Sequence, residues 1–132
     1  MVPDFVETHR FAAADLTGAN SGFVVFTVPS QVRGAIFLGA TYVWGTAGTN
    51  TARVKKIVAG NTSAPGAAAD ANNVDLTAAT ALTSAANTPV DVVPITTSAV
   101  NVLNAGDRLA IASAAGTASL AGAVVHIRLA WL

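Results

Sequence analysis

The chain contains no cysteine, which excludes disulfide bonds and thiolate metal sites. Charge is scarce as well. Only 11% of the residues are Asp, Glu, Lys or Arg, against about 25% in an ordinary soluble domain. Seven basic residues balance seven acidic ones, so the clustered Lys and Arg that phosphate contacts require are missing and nucleic acid is not an expected partner. Glutamate occurs once, as Glu7, leaving Glu-based acid–base chemistry a single candidate. Neither a Gly-x-Ser-x-Gly elbow nor a Walker loop is present, so the two commonest nucleophile and phosphate motifs are absent. No apolar run approaches the roughly 20 residues of a membrane-spanning helix. The best two, 35–40 and 121–132, are short or interrupted by His126 and Arg128. Residues 1–20 hold Asp4, Glu7, Arg10 and Asp15 and no apolar segment of the secretory kind. The chain is therefore expected to be made and used without export, and the Asn61-Thr62-Ser63 sequon reads as chance.

What is present is small and apolar. Hydrophobic residues make up 52% of 132 positions and the mean hydropathy is +0.54, much of it from Ala and Val. One domain of this length can bury about two-thirds of its unfolded surface. Few charges spread over such a domain leave a weakly polar exterior, the kind that marks protein interfaces. The composition therefore predicts an obligate oligomer.

Along the chain, short strand signals alternate with turns. Residues 23–28, Phe-Val-Val-Phe-Thr-Val, are a strand stopped by Pro29, which cannot donate to a ladder. Residues 35–44 are apolar on both faces, with Ile36, Leu38, Tyr42 and Trp44 opposite Phe37 and Val43. A strand without a polar face should be covered on both sides, by its own core and by something else. In 52–58, Val54 and Val58 oppose Arg53, Lys55 and Ile57, and Lys56 breaks the alternation, as at a β-bulge or an exposed edge. Residues 60–73 read as a long Gly/Ala/Asn/Ser loop. Residues 75–86 suit either a short helix capped by Asp75 or an extended segment placing Leu76 and Leu82 on one face, and are left irregular. Residues 90–96 form a strand that Pro94 confines to an edge or bulge. Asn104, Gly106 and Asp107 make a turn, followed by a strand carrying Leu109 and Ile111. In the closing run Val125, Ile127, Leu129 and Trp131 share one face while His126 and Arg128 take the other. These last two strands read as antiparallel neighbours closing the edge of a sheet.

Six or seven strands and no convincing long helix predict an all-β fold: an antiparallel, jelly-roll-like β-sandwich over 23–132. Residues 1–22 precede it with two spaced aromatics, Phe5 and Phe11. They read either as an extended arm reaching a partner through a sheet edge or as a plain edge strand followed by a loop.

No catalytic, cofactor or metal site emerges. A zinc site would need His9 and His126 to converge with an acid. Asp70, Asp75, Asp91 and Asp107 are spaced too widely for a calcium loop and read as turn and cap residues. The basic trio Arg53, Lys55 and Lys56 reads as a solvated strand face. Trp44, Tyr42 and Trp131 could form a sugar-stacking platform, though aromatics on apolar strands are more often core or interface anchors. An enzyme is not expected. The interface candidates are Phe5, Phe11, Phe37, Tyr42, Trp44, His126 and Arg128.

The order of these features resembles the head decoration (cement) proteins of tailed bacteriophages. The likeness rests on residues 23–29, Phe-Val-Val-Phe-Thr-Val-Pro, on the 34–44 run with Gly-Thr-Ala-Gly-Thr-Asn behind it, on Arg53-Val54-Lys55-Lys56, and on 103–109. It spans residues 20–132 and consists of strand-and-turn patterns without catalytic signatures. It implies a β-sandwich or jelly-roll module that trimerises on the outer surface of a phage head, made in the host cytoplasm and located in the virion. Its partners would be the major capsid protein and copies of itself, with neither nucleic acid nor membrane. The alternative is a carbohydrate- or receptor-binding module of a virion fibre or spike.

Overall fold

Two antiparallel sheets pack face to face as a sandwich in a single domain. The structure is a computed structural model describing residues 4–18, 21–95, 99–113 and 115–132. Its strands are β1 (Asp4–Phe11), β2 (Ser21–Thr27), β3 (Gly34–Val43), β4 (Thr51–Ile57), β5 (Asn73–Asp75), β6 (Thr80–Ala81), β7 (Val90–Val92), β8 (Val102–Asn104), β9 (Arg108–Ser113) and β10 (Ala123–Trp131). A 3-10 turn, Ala13–Leu16, follows β1. The first sheet runs β1-β10-β3, with β7 and β8 sharing the far side of β3. The second runs β2-β9-β4, with β5 and β6 sharing the far side of β4. Pairing β1 with β10, β2 with β9, β3 with β7 and β4 with β5 describes a long hairpin wound into two layers, which is jelly-roll connectivity.

That winding changes the expected relation of the last two long strands. β9 and β10 are not neighbours: β9 lies between β2 and β4, and β10 lies between β1 and β3 in the other sheet. Each is therefore central in its sheet, and the segment between them crosses from layer to layer. The alternation read in β10 holds. Ala123, Val125, Ile127 and Leu129 are buried, and His126 and Arg128 are exposed.

Residues 4–11 are an edge strand and not a free arm. β1 pairs with β10 over its whole length, from Asp4 opposite Ala130 to Phe11 opposite Ala123. The reason is apolar: Phe11 is 4% exposed in the core, and Phe5 stacks on Trp131 with ring centroids 4.5 Å apart. Met1 to Pro3, and Ala19 and Asn20 near the end of the expected arm, lie outside the described residues.

β3 departs from strict alternation. Arg128 pairs with Gly39 but the next residue, Leu129, pairs with Phe37, so Leu38 is an extra residue. Such a bulge reverses the phase of the strand. Ala35 and Phe37 point inward before it, and Ala40, Tyr42 and Trp44 after it; all five are buried. Gly39 sits there at φ +146° with Val92 O 3.0 Å from where a Cβ would be, a site that only glycine occupies without strain. The outward residues Ile36, Leu38 and Val43 are half-buried, so the outer face of β3 is less covered than expected.

β4 has no bulge, since its register with β9 runs unbroken from Arg53 to Ile57. Lys56 falls on the same side as Val54, and its ammonium donates to Val100 O (2.8 Å) and Val102 O (3.1 Å) beside the opposite sheet. It closes one end of the sandwich by bonding carbonyls that would otherwise be unpaired there. Asp107 works nearby in the predicted turn. One carboxylate oxygen accepts Asn104 N (2.8 Å) and the other Ala59 N (2.9 Å), while Val28 N donates to Asp107 O (2.9 Å). One buried residue thus ties the turn to the segment after β4 through its side chain and to the segment after β2 through its backbone carbonyl.

The 58–72 loop lies over the outer face of the second sheet. Lys55 Nζ donates to Ala67 O (2.6 Å), Asn73 Nδ2 to Ala64 O (3.1 Å), and Arg108 Nη2 to Asn61 O. Pro65 comes so near β2 that a Cβ on Gly22 would meet it at 2.7 Å. Under the loop Ile57, Ala110 and Ala112 are buried although they face away from the core. Residues 75–86 form no helix; they pass through β6, with Leu76 and Leu82 both fully buried. Thr77 Oγ1 accepts Val54 N (3.0 Å), filling the gap in the ladder between β5 and β6. The predicted strand 90–96 is shorter, ending at Val92; Thr96 lies outside the described residues.

Candidate interaction surface

The two outer faces differ. The 58–72 loop covers the second sheet, whereas among the described residues no segment crosses the centre of the first. Period-2 geometry places Asp4, Val6, Thr8 and Arg10 of β1, His126 and Arg128 of β10, Leu38 and Thr41 of β3, and Asp91 of β7 on that open face. Several of them line a groove of about 420 Å³, together with Gly39 and Val93. Val6 is 56% exposed and Val93 73%. Between these apolar groups Thr8 Oγ1 and His126 Nδ1 share a hydrogen bond of 3.0 Å, and Thr41 Oγ1 donates to Asp91 Oδ1 at 2.6 Å. Arg128 has no acidic partner among the described residues. The face is thus a mixed surface of exposed valines, a free guanidinium and short polar side chains, without a deep enclosed cleft.

Of the expected interface residues, His126 and Arg128 are on this face. The aromatic ones are not. Phe37 (1% exposed), Tyr42 and Trp44 (both 0%) lie between the sheets, and so does Phe11, which packs against Phe23 and Tyr42. Phe5 is half-buried in a cluster with Phe26 and Trp131. The bulge in β3 explains Tyr42 and Trp44: both aromatic positions that looked free to face a partner are turned inward. A sugar platform of Trp44, Tyr42 and Trp131 does not exist, since Trp44 is buried and its indole N–H donates to Ser84 O (3.1 Å). Tyr42 is buried with no partner for its hydroxyl among the described residues, and desolvation pushes its phenol well above the ordinary tyrosine range. Sequence reasoning missed Val6 and Val93. The signal for Val6 was its place between Phe5 and Glu7, legible once 4–11 is read as a strand.

The acidic and imidazole groups stay dispersed. Among the described residues no three His, Asp or Glu side chains converge where a metal ion could sit. His9 lies 3.9 Å from Glu7 on the inner side of β1, while His126 is on the outer face of the same sheet. Asp70 accepts the amides of Asn72 and Asn73, Asp107 is the buried clamp, and Asp75 and Asp91 lie on opposite outer faces.

The basic trio is not a solvated face. Lys55 is 3% exposed and Lys56 bridges the layers. Arg53 Nη1 meets Asp75 Oδ2 at 2.6 Å, and Lys55 Nζ lies 3.4 Å from Asp75 Oδ1. Comparison with protein families, with curated proteins and with solved structures finds no match for this chain.

Proposed function

We propose that this chain is a structural virion protein, a decoration or cement protein that self-associates and binds the outer surface of a tailed-phage head. The observation that carries the reading is the open, valine-bearing face of the first sheet beside a second sheet roofed by its own loop. A domain with so few charges gains solubility and stability by burying that face against other copies or against a shell. The jelly-roll connectivity is in keeping with the resemblance noted in the sequence; connectivity alone does not assign a role. A module that acts through area needs rigid layers and a broad surface, and this fold supplies both. The fibre-tip reading loses its principal support, because two residues of its aromatic platform, Tyr42 and Trp44, are in the core and the third, Trp131, is half-buried.

The first test is mass. Native mass spectrometry of the purified chain is expected to give a trimer or similar small ring, with an interface above about 2,000 Å². Val6→Asp and Val93→Asp are expected to weaken self-association by about tenfold or more each while leaving the far-ultraviolet circular dichroism unchanged. A folded monomer at micromolar concentration overturns the self-association. Electron microscopy of phage heads incubated with the chain tests attachment directly, and bare shells at saturating protein overturn it.

A further inference from the structure

On the opposite outer face, between β4 and the 58–72 loop, is a cavity of about 270 Å³. Its charged lining is Arg53, Lys55 and Asp75, its floor includes Ala112 and Ser113, and its roof is the small-residue run 66–69. Lys55 and Asp75 are direct cross-strand partners, and Arg53 is two residues along the same face of β4. Cross-strand opposite charges pair well, but here two cations share one carboxylate. Asp75 is the only acid lining the cavity.

Tethering the loop explains Lys55, whose ammonium bonds Ala67 O. It does not explain Arg53. The guanidinium reaches Asp75 through Nη1, and its other terminal nitrogen has no protein acceptor among the described residues. The side chains of Lys55, Asp75 and Arg53 are 3%, 22% and 31% exposed, so two cations stand against one acid at the cavity wall. The pocket therefore has a net positive charge at the place where its walls leave room. Arginine's planar fork fits oxyanions through two parallel N–H bonds. The volume lies below the range usual for drug-sized ligands, so the occupant is small.

We propose that this cavity binds a small oxyanion, a carboxylate or a phosphate group, held by Arg53 and Lys55 on the side away from Asp75. The group can come from a free small molecule or from an acidic side chain of a partner; the recognition chemistry is the same. The site is independent of the open face of the first sheet and does not rest on the decoration reading.

The experiment is a ¹H–¹⁵N NMR titration of the full chain with sodium acetate and with sodium phosphate, against sodium chloride at matched ionic strength. Saturable shifts at the Arg53 Nε–H and at the amides of 66–69 and 113 are expected with acetate, phosphate or both, and not with chloride. Saturation by acetate alone identifies a planar carboxylate site, by phosphate alone a tetrahedral one. Arg53→Gln, at a half-exposed position, should weaken the affinity by about tenfold while keeping the dispersed spectrum of the parent. The proposal is overturned by shifts that grow linearly without saturating, that chloride reproduces, or that appear equally at Arg10 and Arg128. Unchanged binding in folded Arg53→Gln overturns it too. If that variant does not fold, the parent titration decides alone.

Discussion

Tyr42 places a phenol in the core with nothing to bond it among the described residues. An unsatisfied buried hydroxyl costs more than the small void its removal leaves, so Tyr42→Phe should match or exceed the parent in stability, by about 1 kcal/mol in urea unfolding. The same residue sets an alkaline limit. Burial raises its folded pKa, so above about pH 10 the unfolded chain loses the phenolic proton while the folded chain keeps it. The folded state then binds more protons, and stability falls as pH rises. The slope attributable to Tyr42 is about 1.4 kcal/mol per pH unit, and it should disappear in Tyr42→Phe. An identical alkaline slope in both proteins would contradict the assignment. Asp107 is the opposite case: a buried carboxylate whose two oxygens each accept a backbone N–H, polar and fully employed.

At the scale of the element, β3 turns on one glycine. Gly39→Ala would force a Cβ against Val92 O in a backbone region that side chains avoid. A loss of about 1–3 kcal/mol is expected, read from thermal melts, and a parent-like melt would mean that the bulge can slip. This bulge also marks where the sequence stopped being legible. Strand positions and the inward face of β10 follow from period 2, because Val125, Ile127, Leu129 and Trp131 each sit two from the next. In β3 every residue from Ala35 to Val43 is apolar or small except Thr41, so alternation holds no information and only Gly39 hints at the phase change. Lys56 misled for a related reason. A lysine in a strand suggests an edge, yet its long stem lets it lie inward and bond carbonyls at the sandwich's end. The burial of Lys55 depends on the 58–72 loop, whose Ala- and Gly-rich sequence has no periodic pattern to say that it folds back over a sheet. The oxyanion cavity was invisible for the same reason.

For the whole molecule, the decisive correction concerns residues 4–11. Phe5 and Phe11 looked like anchors for a partner, and they are anchors, but for this chain's own core. Deleting residues 1–11 should therefore abolish the cooperative melt and much of the β-sheet circular dichroism, since β10 would lose one neighbour and the core two aromatic rings. A folded truncated chain would restore the arm. The class of fold was readable because turns, short strands and the absence of long helical periodicity all agree. The open face was not, because it depends on which sheet the long loop covers, a matter of tertiary contact.

The pairing of β1 with β10 also bears on how the protein is made. Phe11 waits for Ala123 and Asp4 for Ala130, so β1 leaves the ribosome well before β10, its sheet neighbour among the described residues, is synthesised. Until the nascent chain reaches 123–131 β1 is an unpaired edge and the first sheet stays incomplete, whereas the strands of the second sheet all lie within 21–113. Folding dominated by such distant pairings is slow, and the waiting strand is open to aggregation. Glu7, His9 and Arg10 interrupt the apolar character of β1 and guard it during that interval. Refolding after dilution from denaturant should accordingly be a slow, late event in which signals from Phe11 and Ala123 appear together.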